Sequence, residues 1–228
     1  MNNNKISPQN TAYRIQVINP NSSREVTDTI EQSIQDLSSK MNLEIRCSQL
    51  DKAPSAIETN EDVEIAGKLI NAEIKASNAD AFVIACFSDP GVKQLRAKDH
   101  RNIYGIAETA MLIAALHKDN FGIISILSDS IPRHQKQAQD LGIDTRLAGD
   151  LALNLGVLEL ADEDKAKPRL LEVGSELKNN MYAGSIILGC AGMGKYQHWL
   201  QEKLDIPVID PCRAAITMAA ASLMTISK

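Results

Sequence analysis

The sequence is short of cationic charge, of long apolar runs and of cysteine, and each shortage removes a class of function. Its 24 Lys and Arg residues are outnumbered by 29 Asp and Glu, giving a net charge of -5 over 228 residues. A nucleic-acid surface needs a basic excess, so no such partner is expected. No stretch nears the roughly 18 apolar residues that span a bilayer, so no membrane association is expected either. Residues 1–11 are polar and Asn-rich, without the apolar segment of a secretory signal. Residues 1–13 are therefore expected to be a disordered tail, and the protein to be cytoplasmic. Four cysteines, Cys47, Cys86, Cys190 and Cys212, are too few and too spread out for a disulfide framework. None has the close Cys or His partner of a structural zinc site.

What the chain does have is an apolar content of 44%, enough for a full core, arranged as alternating strands and helices. Short apolar runs predict strands over residues 14–18, 43–50, 81–85, 103–106, 121–127, 185–188 and 207–209. Helical spacing of apolar residues predicts helices over about 25–40, 61–77, 109–117, 131–141, 164–181, 194–203 and 213–226. Such alternation argues for an α/β fold of parallel sheets built from right-handed crossovers.

Two segments repeat. Ala81-Phe82-Val83-Ile84-Ala85-Cys86 and Ser185-Ile186-Ile187-Leu188-Gly189-Cys190 are each an apolar run ending in a thiol. Each is followed by small or turn-forming residues. A buried strand that delivers a thiol into a loop, found twice, suggests two lobes facing each other. The expected division is residues 14–105 as one lobe, with the helix at 212–228 packing back onto it, and residues 106–211 as the other. Two opposed thiols can take a proton from one face of a carbon and return one to the other. That is the chemistry of a racemase that needs no cofactor.

Three segments together resemble the hydantoin/allantoin racemase family, within the aspartate/glutamate racemase superfamily. They are the loop Ile18-Asn19-Pro20-Asn21-Ser22-Ser23, the stretch Ala85-Cys86-Phe87-Ser88-Asp89-Pro90-Gly91, and Leu188-Gly189-Cys190-Ala191-Gly192-Met193. The resemblance implies two similar lobes, each a parallel sheet flanked by helices, with the active site in the cleft between them. It implies no metal or organic cofactor, with Cys86 and Cys190 as the catalytic acid and base. It also implies that Asn19, Ser88, Ala191 and Gly192 line the substrate pocket, with 5-substituted hydantoins or allantoin as substrates. Phe87 and Ala191, directly after the cysteines, suggest a pocket that accepts an apolar ring. Ser125, at the end of a strand, is a further pocket candidate. Ala53-Pro54 and Ala107-Glu108 depart from the family pattern in loops that shape the pocket. The alternatives are an aspartate/glutamate racemase, a maleate isomerase-like enzyme, or a ligand-binding protein that has lost activity.

Several other residues read as structural. His100, His117, His134 and His198 lie in polar contexts and are expected at the surface. A thiolate would then draw its stabilisation from backbone N–H groups at a helix start. Asp89 is expected to cap the helix that Pro90 opens, while Glu108 could cap a helix or line the cleft. The run Gly189-Cys190-Ala191-Gly192-Met193-Gly194 lacks dinucleotide-binding spacing. Tyr196 and Trp199 read as packing residues, and the apolar last helix leaves a homo-oligomer open.

Overall fold

The computed structural model describes residues 12–117 and 119–225. The expected tail lies outside the described residues except for Ala12 and Tyr13, and Tyr13 already opens the first strand.

Among the described residues, eight strands form two four-stranded sheets of the same order. The first holds β1 (Tyr13–Asn19), β2 (Leu43–Gln49), β3 (Ala81–Ile84) and β4 (Asn102–Gly105), arranged β2-β1-β3-β4. The second holds β5 (Phe121–Ser125), β6 (Leu147–Ala152), β7 (Ser185–Leu188) and β8 (Val208–Ile209), arranged β6-β5-β7-β8. Every pairing is parallel. The central strands are covered on both faces, so β3, β5 and β7 are buried at every position. Continuous apolar runs rather than alternating ones follow from that double cover.

The helices are α1 (Arg24–Met41), α2 (Asn60–Ala76), α3 (Val92–Arg96), α4 (Ile106–Ala115), α5 (Ile131–Asp140), α6 (Glu163–Asn179), α7 (Gln197–Leu204) and α8 (Pro211–Thr225). Local sequence explains their ends. Val26, Ile30, Ile34 and Leu37 form the buried stripe of α1, whose first turn is capped by Ser23. Asn42 closes it in the left-handed region with φ 53°, a conformation that asparagine tolerates. Thr59 and Asp62 make a reciprocal capping box on α2. As its sequence suggested, α5 carries Pro132 in its first turn.

One apolar cluster runs through both sheets, joining Ile15 and Val17 to Ile123, Ile187 and Ile216. Helix α8 packs on α4, on α1 and on β1, β3 and β4, with Ala215, Ile216, Ala219 and Ala220 buried. Arg213 fixes it to α1 through Asp36 at 2.6 Å and the Ser33 carbonyl at 2.7 Å. Among the described residues, no helix is long and apolar enough to cross a membrane.

Several elements differ from the sequence-based expectation: α4, expected over 109–117, begins at Ile106 inside the strand expected over 103–106, and residues 194–196, expected in an α-helix, form a tighter 3-10 turn before α7. Strand β6 was not foreseen, because its sequence LAGDLA has a charge at its centre. The fifth strand stops at Ser125, and Ile126 turns out of the sheet toward the cleft. Helix α3 begins at Val92 behind Gly91, whose φ of 72° suits glycine alone. Asp89 therefore does not cap it.

Candidate active site

The two thiols occupy equivalent places in the two sheets. Cys86 and Cys190 each lie two residues beyond the end of a central strand, β3 and β7. The residue before each thiol continues the sheet: Ala85 N–H donates to the Ile18 carbonyl at 2.9 Å, and Gly189 N–H to Ile124 at 2.8 Å. The chain then turns sharply in both. The Cys86 carbonyl accepts from Asp89 N–H at 2.9 Å, and the Cys190 carbonyl from Met193 N–H at 3.1 Å. In each turn the backbone amide two residues on, Ser88 or Gly192, favours the ionised form of the sulfur. Gly189 has no alternative, since a Cβ there would stand 2.5 Å from the Ile124 oxygen.

Both cysteines line one cavity of about 40 Å³ between the lobes, a few times the space one water needs. It lies where ligands bind parallel sheets, beyond the carboxyl ends of the strands. Cys190 is 9% exposed and Cys86 partly exposed, and what they face is this cavity. Burial accordingly pushes the Cys86 thiol up to about 12, and the nearby Cys190 and Asp89 add to that rise. The Ser88 amide and Arg133 act against it. Burial pushes Cys190 up to about 11, opposed by the Gly192 amide. Near neutral pH both groups therefore rest as thiols. A single backbone N–H at each sulfur lowers the cost of ionisation without removing it.

Residues 15–219 match the model of the Asp/Glu/Hydantoin racemase family. A hydantoin racemase from Paenarthrobacter aurescens is 34% identical over 215 residues, covering 90% of this chain and 89% of its own. The chain is a racemase of this family. A hydantoin racemase from Rhizobium meliloti is 33% identical over 214 residues, covering 92% of this chain and 88% of its own. The solved structure of an allantoin racemase from Klebsiella pneumoniae matches with a TM-score of 0.89 at 30% identity. That match covers 94% of this chain and 89% of the other.

Of the residues singled out from the sequence, Cys86, Phe87, Ser88, Cys190 and Ala191 line the cavity of this racemase. Asn19, Ser125 and Gly192 do not. The Asn19 carboxamide is spent inside its own loop, donating to Asn21 Oδ1 at 2.9 Å, Thr27 Oγ1 at 3.0 Å and the Ser23 carbonyl at 3.2 Å. It is Asn21 that reaches the cavity. Gly192 sits behind Cys190, near Leu160, and opens on a neighbouring cleft. Ser125 sits behind His134. That histidine, expected at the surface, is buried and lines the cavity. It occupies the core face of α5 together with Ala138, four residues on. Its Nδ1 lies 2.9 Å from Asp150 Oδ2 and 3.1 Å from Ser125 Oγ, and the Ser125 hydroxyl donates to the other Asp150 oxygen.

The walls are tied across the lobes. Arg133 on α5 donates to Ser88 Oγ at 3.3 Å, Asn60 Oδ1 at 2.9 Å and the Glu58 carbonyl at 3.1 Å. Glu58 accepts from Val157 N–H at 2.8 Å, so Ile57 and Val157 close over the cavity as a pair. Asp89 accepts from Ala107 N–H at 3.0 Å, Glu108 N–H at 2.8 Å and Gln137 Nε2 at 2.6 Å. It thus caps α4, not α3, and holds the Cys86 turn against that helix. Burial and the charge of Glu108 raise its carboxyl to about 7, against the pull of those donors. Glu108 itself caps α4 through Gly105 N–H and pairs with Arg96. Among the described residues, no cluster of three or more His, Cys, Asp or Glu side chains is placed to hold a metal ion.

Proposed function

We propose that this racemase interconverts the enantiomers of 5-substituted hydantoins, allantoin included, by passing protons between the substrate and Cys86 and Cys190. The observation that carries the reading is the delivery of both thiols, by equivalent strand-to-turn motifs, into one small cavity. The hydantoin C5–H is acidified by the adjoining carbonyl. One cysteine, as thiolate, takes that proton, and the C–H electron pair passes into the carbonyl as an enolate. The other, as thiol, returns a proton to the opposite face of C5. The two sulfurs end with protonation states exchanged, ready for the reverse direction.

Burial makes the thiolate scarce but strong. With a pKa of about 11 for Cys190, roughly one molecule in a thousand carries it near pH 8, and a base of that strength suits a weak carbon acid. Substrate carbonyls meet hydrogen-bond donors from Arg133, Ser88 and Asn21, which can follow the charge onto the enolate oxygen. Phe87 and Ala191 give the ring an apolar bed.

The test is loss of optical activity, followed by circular dichroism, on allantoin, methyl-, isopropyl- and benzyl-hydantoin, L-aspartate and L-glutamate. The tightness of the cavity predicts that the small hydantoins are racemised faster than the benzyl compound. Turnover of the amino acids with none of the hydantoins would overturn the reading.

A further inference from the structure

His134 is a buried imidazole with one nitrogen committed to the protein and the other left over. Its side chain is 2% exposed and that of Asp150 is 0% exposed. Asp150 comes from β6, Ser125 from the end of β5, and His134 from α5, so three elements of one lobe converge on the ring. The ring stands edge-on to Phe87, centroids 5.0 Å apart at 86°, beside Cys86.

The partners fix the tautomer. An ionised carboxylate only accepts hydrogen bonds, and one Asp150 oxygen already takes the Ser125 hydroxyl proton. The other, 2.9 Å from Nδ1, requires the ring proton to sit on Nδ1. In the neutral ring, Nε2 is then a bare acceptor. No protein group among the described residues donates to it. Nε2 is not among the fully buried side-chain atoms left without a partner, so on this residue of the cavity wall it is open to a donor inside the cavity. The other polar side chains of the wall are the Arg133 guanidinium, the Ser88 hydroxyl, the Asn21 amide, whose oxygen is already engaged by Asn19 and Ser23, and the Ser130 hydroxyl, whose proton goes to the Leu127 carbonyl.

We propose that His134 is the residue that recognises a ring N–H of the substrate, accepting it at Nε2, with Asp150 as the positioning residue that holds the acceptor tautomer. The inference rests on the cyclic-ureide reading above and adds its polarity. Carbonyls are met by donors, and one N–H is met by a ring acceptor of fixed tautomer. The site therefore selects cyclic substrates with an unsubstituted nitrogen, and rejects ring analogues in which that N–H is replaced.

Two measurements test it. The first needs no substrate: the ¹⁵N resonances of His134 in the wild-type protein at pH 8 should show Nδ1 protonated and Nε2 bare. Asp150→Asn, whose amide can donate to Nδ1, should reverse them. A wild-type ring protonated on Nε2 would overturn the inference whatever the substrate. The second is discrimination, as the ratio of kcat/KM for a small 5-alkyl hydantoin to that for its oxazolidine-2,4-dione and its 3-methyl counterparts. One of the two ratios should fall about tenfold or more in Asp150→Asn and in His134→Gln. It should stay near the wild-type value in Ser125→Ala, which keeps the His134–Asp150 bond. Both ratios unchanged in active Asp150→Asn and His134→Gln proteins would overturn the role of His134 alone. Wild-type protein that racemises no hydantoin at all would overturn the ureide reading and this inference with it.

Discussion

Replacing Gly105 by alanine should dislodge the turn that carries Cys86. The backbone at Gly105, φ -84° and ψ 140°, suits any residue, so the cost is purely one of space. A Cβ there would overlap all three atoms of the Asp89 carboxylate. Asp89 would have to give up its bonds to Ala107 N–H, Glu108 N–H and Gln137, at 3.0, 2.8 and 2.6 Å. Leaving the start of α4 uncapped, with a buried carboxylate displaced, costs about 1–3 kcal/mol for each unsatisfied group. A net loss of about 3 kcal/mol is expected, which at a slope of about 2 kcal/mol/M moves the urea midpoint down by about 1.5 M. Because Asp89 N–H also closes the Cys86 turn at 2.9 Å, kcat/KM should fall by about a hundredfold for a shift of about 1 Å. A double-mutant cycle isolates the clash. Asp89→Gly removes the carboxylate and suits the positive φ of 43° found there. In that background Gly105→Ala should cost no more than about 0.5 kcal/mol, the difference between Gly and Ala as an N-cap. An equal loss in both backgrounds would refute the steric account.

The tie across the lobes predicts that Arg133→Met, which keeps the stem but loses the contacts to Ser88, Asn60 and Glu58, lowers kcat/KM about tenfold or more. The urea midpoint should hardly move, and unchanged kinetics would contradict a role in shaping the cavity. Burial predicts that iodoacetamide modification of Cys86 in the ligand-free protein, read by peptide mapping, rises about tenfold per pH unit through pH 10. The sign follows from a thiol pushed up to about 12, since only the thiolate reacts. A plateau between pH 8 and 9 would mean a thiol in ordinary solvent.

The sequence was most informative where structure is local and symmetric. The runs before Cys86 and Cys190 are buried central strands, and double cover leaves a signature of unbroken apolar residues. Two copies of that signature place both thiols at strand ends. It was least informative where polar groups satisfy one another over distance. Asp150 disguised β6, because a charge mid-strand argues against a buried strand. His134 disguised itself for the same reason, on a helix rich in Lys, Gln and Arg. Each is explained by the other, and only the pairing of β6 beside β5 brings them together. The spacing of His134 and Ala138 was the one available hint. Asp89 misled in the opposite way. Asp-Pro is a strong local capping signal, but the carboxylate caps a helix 18 residues further on. Asn19 and Asn21 could not be told apart by composition, since which amide turns inward depends on the fold of their own loop.

The central claim is that Cys86 and Cys190 each serve one face of the reacting carbon. The most direct test is racemisation of each hydantoin enantiomer in D2O by wild type, Cys86→Ser and Cys190→Ser, with deuterium at C5 followed by NMR. Wild type should place deuterium in the inverted product while recovered starting enantiomer stays largely protiated. Each variant should lose racemisation by at least about 10²–10⁴-fold, and any exchange it retains should be confined to one enantiomer, the opposite one in the two variants. Racemisation near the wild-type rate by either variant, or exchange of both enantiomers by the same remaining thiol, would contradict it.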